Sequence, residues 1–373
     1  MKVLHVYRTY FPDPPGGLQE AIRQIALASK ALGIESRVFT LSPTPVPSEI
    51  DLPEAKVIRC RSLAAPASCN VGGIDAAIKF RELENWADIV HYHFPWPFAD
   101  ILRLFGPHSK PAVMTYHSDI IRQRYLGYLY APLMRTTLQS MARVIATSPT
   151  YAATSRVLQN VVSSEKLQVI PLGIADYRDE ALGDDSDYLK TLLVDNDQPF
   201  ILALGVLRYY KGLHVLLEAA ADIKAKIVIA GSGPEEGYLR ALLARKKITN
   251  VVFAGQVSNG QKQILLARCY AFVLTSHLRS EAFGMVLVEA SMFAKPMVSC
   301  ELGTGTSFVN INGETGWVVP PESPKQLAQA LNSLIDDVSL ALRMGIAARW
   351  RYERLFSSEA LGEAYAELYK SVN

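Results

Sequence analysis

Several features are scarce in this chain of 373 residues, and each scarcity removes a class of function. Cysteine is rare: Cys60, Cys69, Cys269 and Cys300 form no C-x-x-C pair and have no histidine at zinc spacing. They read as small apolar fillers in a reducing compartment, which excludes a disulfide scaffold and a zinc-finger module. A surplus of charge is also lacking. With 38 Lys and Arg against 36 Asp and Glu, the net charge of +2 gives no electrostatic case for nucleic acid. A pI near 8.2 permits attraction to an acidic membrane surface without requiring it. No apolar run approaches the roughly 18 residues of a membrane span. The opening MKVLHVYRTYFP is too short an apolar run for a signal peptide and reads as a first strand. What is left, 49% hydrophobic and 20% charged with no low-complexity segment, is the composition of a globular enzyme, expected in the cytoplasm.

At this length two domains are the natural expectation. Short β-rich apolar runs alternate with longer amphipathic stretches throughout, the pattern of parallel sheets with helices on both faces. A first series of strands is expected at residues 3–7, 37–41, 57–60, 89–93, 112–117, 144–147 and 169–171. The pattern stops near Asp176, and an acidic, polar stretch follows. A second series begins at 200–204 and continues at 227–230, 251–254, 272–275, 297–299 and 317–319. The expected architecture is therefore α/β, two doubly wound Rossmann-like domains with a cleft between their strand ends, where such sheets bind ligands. The boundaries are 1–175 for the first domain, 176–197 for a linker and 198–355 for the second domain. Residues 356–373 form a last helix, long enough with the preceding tail to cross back to the first domain.

The most informative stretch is SEAFGMVLVEASMFAKPMVSC, residues 280–300, in which Glu281 and Glu289 stand eight positions apart around an apolar run. If a helix opens at Phe283, eight positions is a little over two turns, and the two carboxylates face the same way. Carboxylates accept hydrogen bonds from hydroxyls, while a helix N-terminus, here the backbone of Ala282, Phe283, Gly284, Met285 and Val286, suits phosphate. A sugar nucleotide carries both groups. Two glutamates at that spacing also occur on solvated helix faces, but Glu289 is embedded in apolar residues rather than in a charged face.

Other loops point the same way. Gly16 and Gly17 follow the first strand and precede a helical pattern, so backbone amides there can approach an anion. After residues 200–204, Gly205 introduces a loop with Arg208 and Lys211 ahead of a helix, a cradle for a diphosphate. Gly233, in Ala-Gly-Ser-Gly-Pro after another strand, resembles a nucleotide loop without the third glycine of a dinucleotide fingerprint. Val257, after the next strand, is placed to wall a base pocket. His117 ends the fifth strand of the first series, where it meets the sugar or the acceptor. His91 and His93 share a strand face with no carboxylate at useful spacing, and no metal is expected. Asp185-Ser-Asp187 and Asp195-Asn-Asp197 have the two-aspartate form of cation-dependent sugar transferases, but they read as solvated linker charges.

Taken in order, YHSDIIRQ (116–123), VIPLGI (169–174), GVLRYYKG (205–212) and RSEAFG (279–284) resemble glycosyltransferase family 4, whose fold is called GT-B. The resemblance covers nearly the whole chain. It implies transfer of a sugar from a nucleotide donor with retention at the anomeric carbon, without a bound metal or other cofactor. By position, Glu281 would hold the donor sugar's hydroxyls with help from the backbone at Phe283 and Gly284. Glu289 would hold the ribose, and Arg208 and Lys211 the diphosphate. Gly17 would let the first loop pass near the phosphates, and His117 would contact the sugar. The family often has its arginine directly after the loop glycine, where this chain has Val206. The segment 301–316 resembles bacterial mannosyltransferases of surface-polysaccharide synthesis. That resemblance implies GDP-mannose as donor to the second domain and a polyprenyl-diphosphate-linked saccharide as acceptor on the first. The basic, aromatic stretch 122–135 reads either as a core-packing helix with a polar rim or as a peripheral contact with the inner face of the plasma membrane that guides such a lipid. A UDP-dependent glucosyl- or N-acetylhexosaminyltransferase is the alternative enzyme, and a non-catalytic sugar-nucleotide-binding protein the alternative of another class.

Overall fold

The computed structural model describes residues 1–13, 16–66, 69–106, 109–120, 124–178, 185–193 and 199–373, with the backbone alone for 124–126 and 185–187. The chain divides into two units, Met1–Ala175 with Ser357–Asn373, and Asp176–Phe356.

The first unit holds strands β1 (Lys2–Val6), β2 (Glu35–Ser42), β3 (Glu49–Asp51), β4 (Lys56–Ala64), β5 (Val71–Gly72), β6 (Ile89–Phe94), β7 (Ala112–Tyr116), β8 (Arg143–Ala146) and β9 (Leu167–Val169). They lie in the order β3-β4-β2-β1-β6-β7-β8-β9, with β5 beside β4. From β4 to β9 every pairing is parallel; β3 and β5 run antiparallel to β4. Strand β6, Ile-Val-His-Tyr-His-Phe, is buried at every position, as a central parallel strand covered on both faces must be. The covering helices are α1 (Gly17–Lys30), α2 (Ile74–Trp86), α3 (Pro97–Leu104), α4 (Arg124–Ser140), α5 (Pro149–Thr154) and α6 (Arg156–Val161).

The second unit holds α7 (Asp185–Leu192), then strands β10 (Phe200–Leu204), β11 (Lys226–Ala230), β12 (Val251–Gly255), β13 (Ala271–Leu274), β14 (Met297–Cys300) and β15 (Gly316–Val319). The order β12-β11-β10-β13-β14-β15, parallel throughout, is the doubly wound Rossmann arrangement, and its direction reverses between β10 and β13. The same reversal falls between β1 and β6 in the first unit. Helices α8 (Leu213–Ala219), α9 (Glu236–Lys246), α10 (Asn259–Arg268), α11 (Met285–Met292), α12 (Thr306–Val309), α13 (Pro324–Asp336) and α14 (Val338–Leu355) complete it. Its core runs from Ile201 and Ile227 through Val273 and Val298 to Leu331 and Met344.

Helix α15 (Ser358–Val372) belongs to the first unit. Its Leu361, Tyr365, Leu368 and Tyr369 pack with Val3, Ile25, Ile89, Val113 and Ile145. Gly362 lets it lie against α1, because a Cβ there would meet the carbonyl of Ala28 at 2.8 Å. The stretch expected as a linker contains α7 and is tied to the second unit at its start, where Asp176 pairs with Arg349 at 2.6 Å. Asp185 and Asp187 lie on α7 with only their backbone described, and residues 195–197 fall outside the described residues.

Candidate active site

The loop after β10 and the loop after β13 meet at the reversal point of the second sheet. Gly205 leads from β10 toward a short 3-10 turn, Tyr209–Lys211, and Gly212 starts α8. Three bonds tie this turn to the neighbouring loop: Thr275 Oγ1 donates to the carbonyl of Lys211 at 2.9 Å, His277 N–H to that of Tyr210 at 3.0 Å, and Lys211 Nζ to Glu281 Oε2 at 2.5 Å. Ser276 Oγ donates to the same carboxylate oxygen at 2.9 Å. The ion pair is close to buried, with side-chain exposures of 12% for Lys211 and 11% for Glu281. Burial alone would pull the Lys211 pKa down; Glu281, Tyr210 and the hydrogen bond outweigh it and raise it. Exposed Arg208 lies near enough that its charge opposes that rise, so the two cations expected from the sequence are neighbours. Beneath them is bare backbone, since a Cβ on Gly205 would stand 3.8 Å from Lys211 Nζ. The hollow here is lined by Gly205, Leu207, Lys211, Ala230 and Thr275.

The turn carrying Glu281 is locked from behind by the loop after β14. Arg279 donates to the carbonyls of Leu302 and Gly303, Thr304 Oγ1 to that of Glu281 at 2.8 Å, and Gly305 N–H to that of Ala282 at 2.8 Å. Helix α11 opens at Met285, two residues later than expected. Gly284 explains the delay: its φ of +86° is a left-handed conformation that turns the chain before the helix can begin. Among the described residues no side chain caps this N-terminus. Phe283 points into the core beside Phe356, so a ligand would meet only its backbone, while Ala282, Met285 and Val286 are half-buried at the helix front.

Glu289 does not share the Lys211 partner of Glu281. Its Oε1 accepts from Lys262 Nζ at 2.6 Å and from Tyr177 OH at 3.1 Å. Lys262 on α10 and Tyr177 ahead of α7 were invisible to spacing arguments, because they lie 27 and 112 residues from the glutamate in sequence. Ser276 is different: a hydroxyl five residues before Glu281 at a strand end was a signal that could have been read. Gly233 sits where a Cβ would strike the Leu207 backbone at 2.5 Å, so its bareness lets two loops close against each other. Val257, half-buried past β12, follows Gln256, which accepts from Ser232 Oγ at 2.8 Å.

In the first unit Gly16 and Gly17 open α1 without a side-chain cap among the described residues. His117 follows β7 and is 4% exposed. Its loop is fixed by Asp119, whose Oδ1 accepts from Tyr116 OH at 3.0 Å and Ser155 Oγ at 2.7 Å, and whose N–H donates to Tyr151 OH at 2.6 Å. Beneath His117 lie His93, His91 and His5, the last inside β1 and unforeseen. Burial lowers the pKa of His5 and His117 to about 3 and those of His91 and His93 well below the ordinary value, so these rings are neutral near pH 7. Nitrogens of His5, His91 and His93 fall within 4.8 Å of one another. Both nitrogens of His91 are already bonded, to Tyr369 OH at 2.8 Å and Thr115 Oγ1 at 2.7 Å, and both of His93 to His5 and His117. A metal would have to displace those bonds. Of the stretch 122–135, residues 122–123 fall outside the described residues, while Tyr128 and Leu129 on α4 are about four-fifths exposed. Among the described residues no helix is long and apolar enough to cross a membrane.

Comparison with known proteins adds to this geometry. Residues 184–351 match the family described as glycosyl transferases group 1, and residues 16–173 match the glycosyl transferase 4-like domain. The O-antigen chain mannosyltransferase C of Escherichia coli is 38% identical over 372 residues, 100% of this chain and 99% of that protein. The D-rhamnosyltransferase WbpZ of Pseudomonas aeruginosa is 43% identical over 358 residues, covering 96% and 93%. Among solved structures, sucrose-phosphate synthase from Thermosynechococcus elongatus superposes with a TM-score of 0.82 at 22% identity, covering 99% of this chain and 98% of that one.

Proposed function

The chain belongs to the group 1 glycosyl transferases and has the GT-B fold, and from that premise we propose that it transfers mannose from GDP-mannose in O-antigen or related surface-polysaccharide synthesis. The acceptor is a polyprenyl-diphosphate-linked saccharide, met by the first domain at the inner face of the plasma membrane. The observation that carries the reading is the Lys211–Glu281 pair, a cation over bare glycine backbone beside a carboxylate, at the reversal point of a Rossmann sheet. Lys211 and Arg208 hold the diphosphate, Glu281 the sugar hydroxyls, Glu289 the ribose, and His117 is the first domain's contact to the sugar. Bond cleavage leaves negative charge on the diphosphate and positive charge on the sugar ring. Preorganised cations favour that separation, each well-placed group contributing about 3–4 kcal/mol. The incoming hydroxyl attacks from the face the diphosphate leaves, with retention and without a metal, and its proton passes to the departing phosphate.

A second sugar follows from the D-rhamnosyltransferase relative. D-rhamnose is mannose without the 6-hydroxyl, so GDP-D-rhamnose enters the same reading with one hydrogen bond fewer. The deciding experiment is a thermal-shift panel with GDP, UDP, ADP and dTDP, with and without EDTA, followed by transfer assays with both GDP-sugars. A ligand at ~100 times its dissociation constant stabilises by about 2.7 kcal/mol, which such a panel detects. A shift with GDP alone, insensitive to EDTA, is expected. A shift with UDP alone moves the donor to glucose or an N-acetylhexosamine, and no shift at all removes the donor site as described.

A further inference from the structure

Three histidines of the first domain, His5, His93 and His117, are joined end to end. His5 Nδ1 stands 3.1 Å from His93 Nε2, and His93 Nδ1 stands 3.1 Å from His117 Nε2. The ring centroids are 5.4 and 5.3 Å apart, with planes 24° and 25° from parallel. That is the spacing of nearly coplanar imidazoles linked in line through N–H···N bonds, not of rings lying face on face. The far end of the row meets Ser36, whose Oγ is 3.5 Å from His5 Nε2. The near end is His117 Nδ1, which has no partner among the described residues. His91 is a flank to this row rather than a link, its ring 4.2 Å from that of His93 and its nitrogens held by Thr115 and Tyr369.

A neutral imidazole carries one N–H and one lone pair. Each N···N contact needs one proton, so His93 must donate to one neighbour and accept from the other. Donating to both would make it a cation and accepting from both an anion, and neither survives full burial without a partner charge. Only two arrangements remain. Either all three rings carry the proton on Nδ1, and His117 offers a donor outward, or all three carry it on Nε2, and His117 offers an acceptor. Ser36, able to donate or accept, closes both.

We propose that His93, and through it His5, are positioning residues for His117. They fix the orientation of its ring and let its outward nitrogen change between donor and acceptor only in concert with the two buried rings. His117 then meets a sugar hydroxyl in the sense that all three rings share, and its ring cannot rotate to swap nitrogens without breaking the row. This role rests on the reading of His117 as the first domain's contact to the sugar; the proton arrangement does not.

The test uses the whole protein labelled with 15N at histidine, with two-bond 1H–15N spectra at pH 7 assigned by single His→Gln variants. His5, His93 and His117 are expected to report the same tautomer, all Nδ1–H or all Nε2–H. Two different tautomers among the three, a charged ring, or histidine signals that move when EDTA strips a stoichiometric metal would overturn the proposal. The functional arm compares His93→Gln, whose amide can donate one way and accept the other, with His93→Phe. The glutamine variant should keep kcat within about threefold, and the phenylalanine variant should lose about tenfold or more with GDP affinity unchanged, because lost orientation at a reacting centre can cost about a hundredfold. Equal kcat for Phe and wild type sinks the positioning role. A wild-type protein that transfers no sugar sinks the functional reading instead, while the spectra still decide the proton arrangement.

Discussion

A buried ion pair behaves differently from its members taken singly, and Lys211 with Glu281 allows a test of that at residue scale. Removing one partner leaves an uncompensated charge under cover, which typically costs about 3–5 kcal/mol, whereas replacing both can be close to neutral. Lys211→Met is therefore expected to lower the denaturation midpoint, and the double variant with Glu281→Gln to regain most of it while transfer stays lost. Recovery of activity in the double variant would remove both residues from the diphosphate and sugar roles. Glu289 should separate from this behaviour. If it holds the ribose, Glu289→Gln weakens GDP binding by about tenfold, the scale of one hydrogen bond to a charged group, and leaves kcat nearly unchanged. Isothermal titration with GDP beside steady-state kinetics checks both halves. The sequence made Glu281, Lys211 and Arg208 readable because loops after buried strands present few residues, and charged ones there stand out. It hid Lys262 and Tyr177, whose meeting with Glu289 depends on where α10 and the chain before α7 arrive.

Elements were legible to the degree that burial made them uniform. The central strands, such as β10 with Phe-Ile-Leu-Ala-Leu, are continuous apolar runs and fell within a residue or two of expectation. Strands β3, Glu-Ile-Asp, and β5, Val-Gly, were missed because they are short, largely exposed and antiparallel at the sheet edge, where no alternation has length to develop. The tail read as helical, but nothing local marks Gly362 as a contact. Its importance comes from Ala28, more than three hundred residues away. Gly362→Val should push α15 off α1 and with it the hydrogen bonds of Tyr369 to His91 and Tyr365 to Thr115. Overpacking of this kind costs about 1–3 kcal/mol. Chemical denaturation should register that loss, and hydrogen exchange should place it in α1, α15 and β6. Unchanged protection in those segments would mean that α15 is not held as described.

At the scale of the whole molecule the two units should respond to different chemistry, because most of the described histidines with depressed pKa values sit in one and the proposed nucleotide site in the other. Among the described residues, four rings with depressed pKa values, His5, His91, His93 and His117, lie in the first unit, and one, His277, lies in the second, where burial and then His214 lower it. A histidine held neutral by burial binds its proton only when it unfolds. Its contribution is intact above the unfolded pKa of roughly 6.5 and is lost as pH falls from there toward the folded value. For His5 and His117, with folded values of about 3, the loss between pH 7 and pH 5 is about 2 kcal/mol each. His91 and His93 titrate in the same direction, and neighbouring histidines, not carboxylates, add to the effect of burial on them. Hydrogen exchange at pH 7 and pH 5, each with and without GDP, separates the two responses after correction for the intrinsic exchange rate. Acid should strip protection from β1, β6, β7 and α15 while β10 to β15 hold, and GDP should add protection to the second set and leave the first unchanged. Had the second unit opened first in acid, the four buried histidines of the first unit would not be the groups that set the acid sensitivity of the molecule.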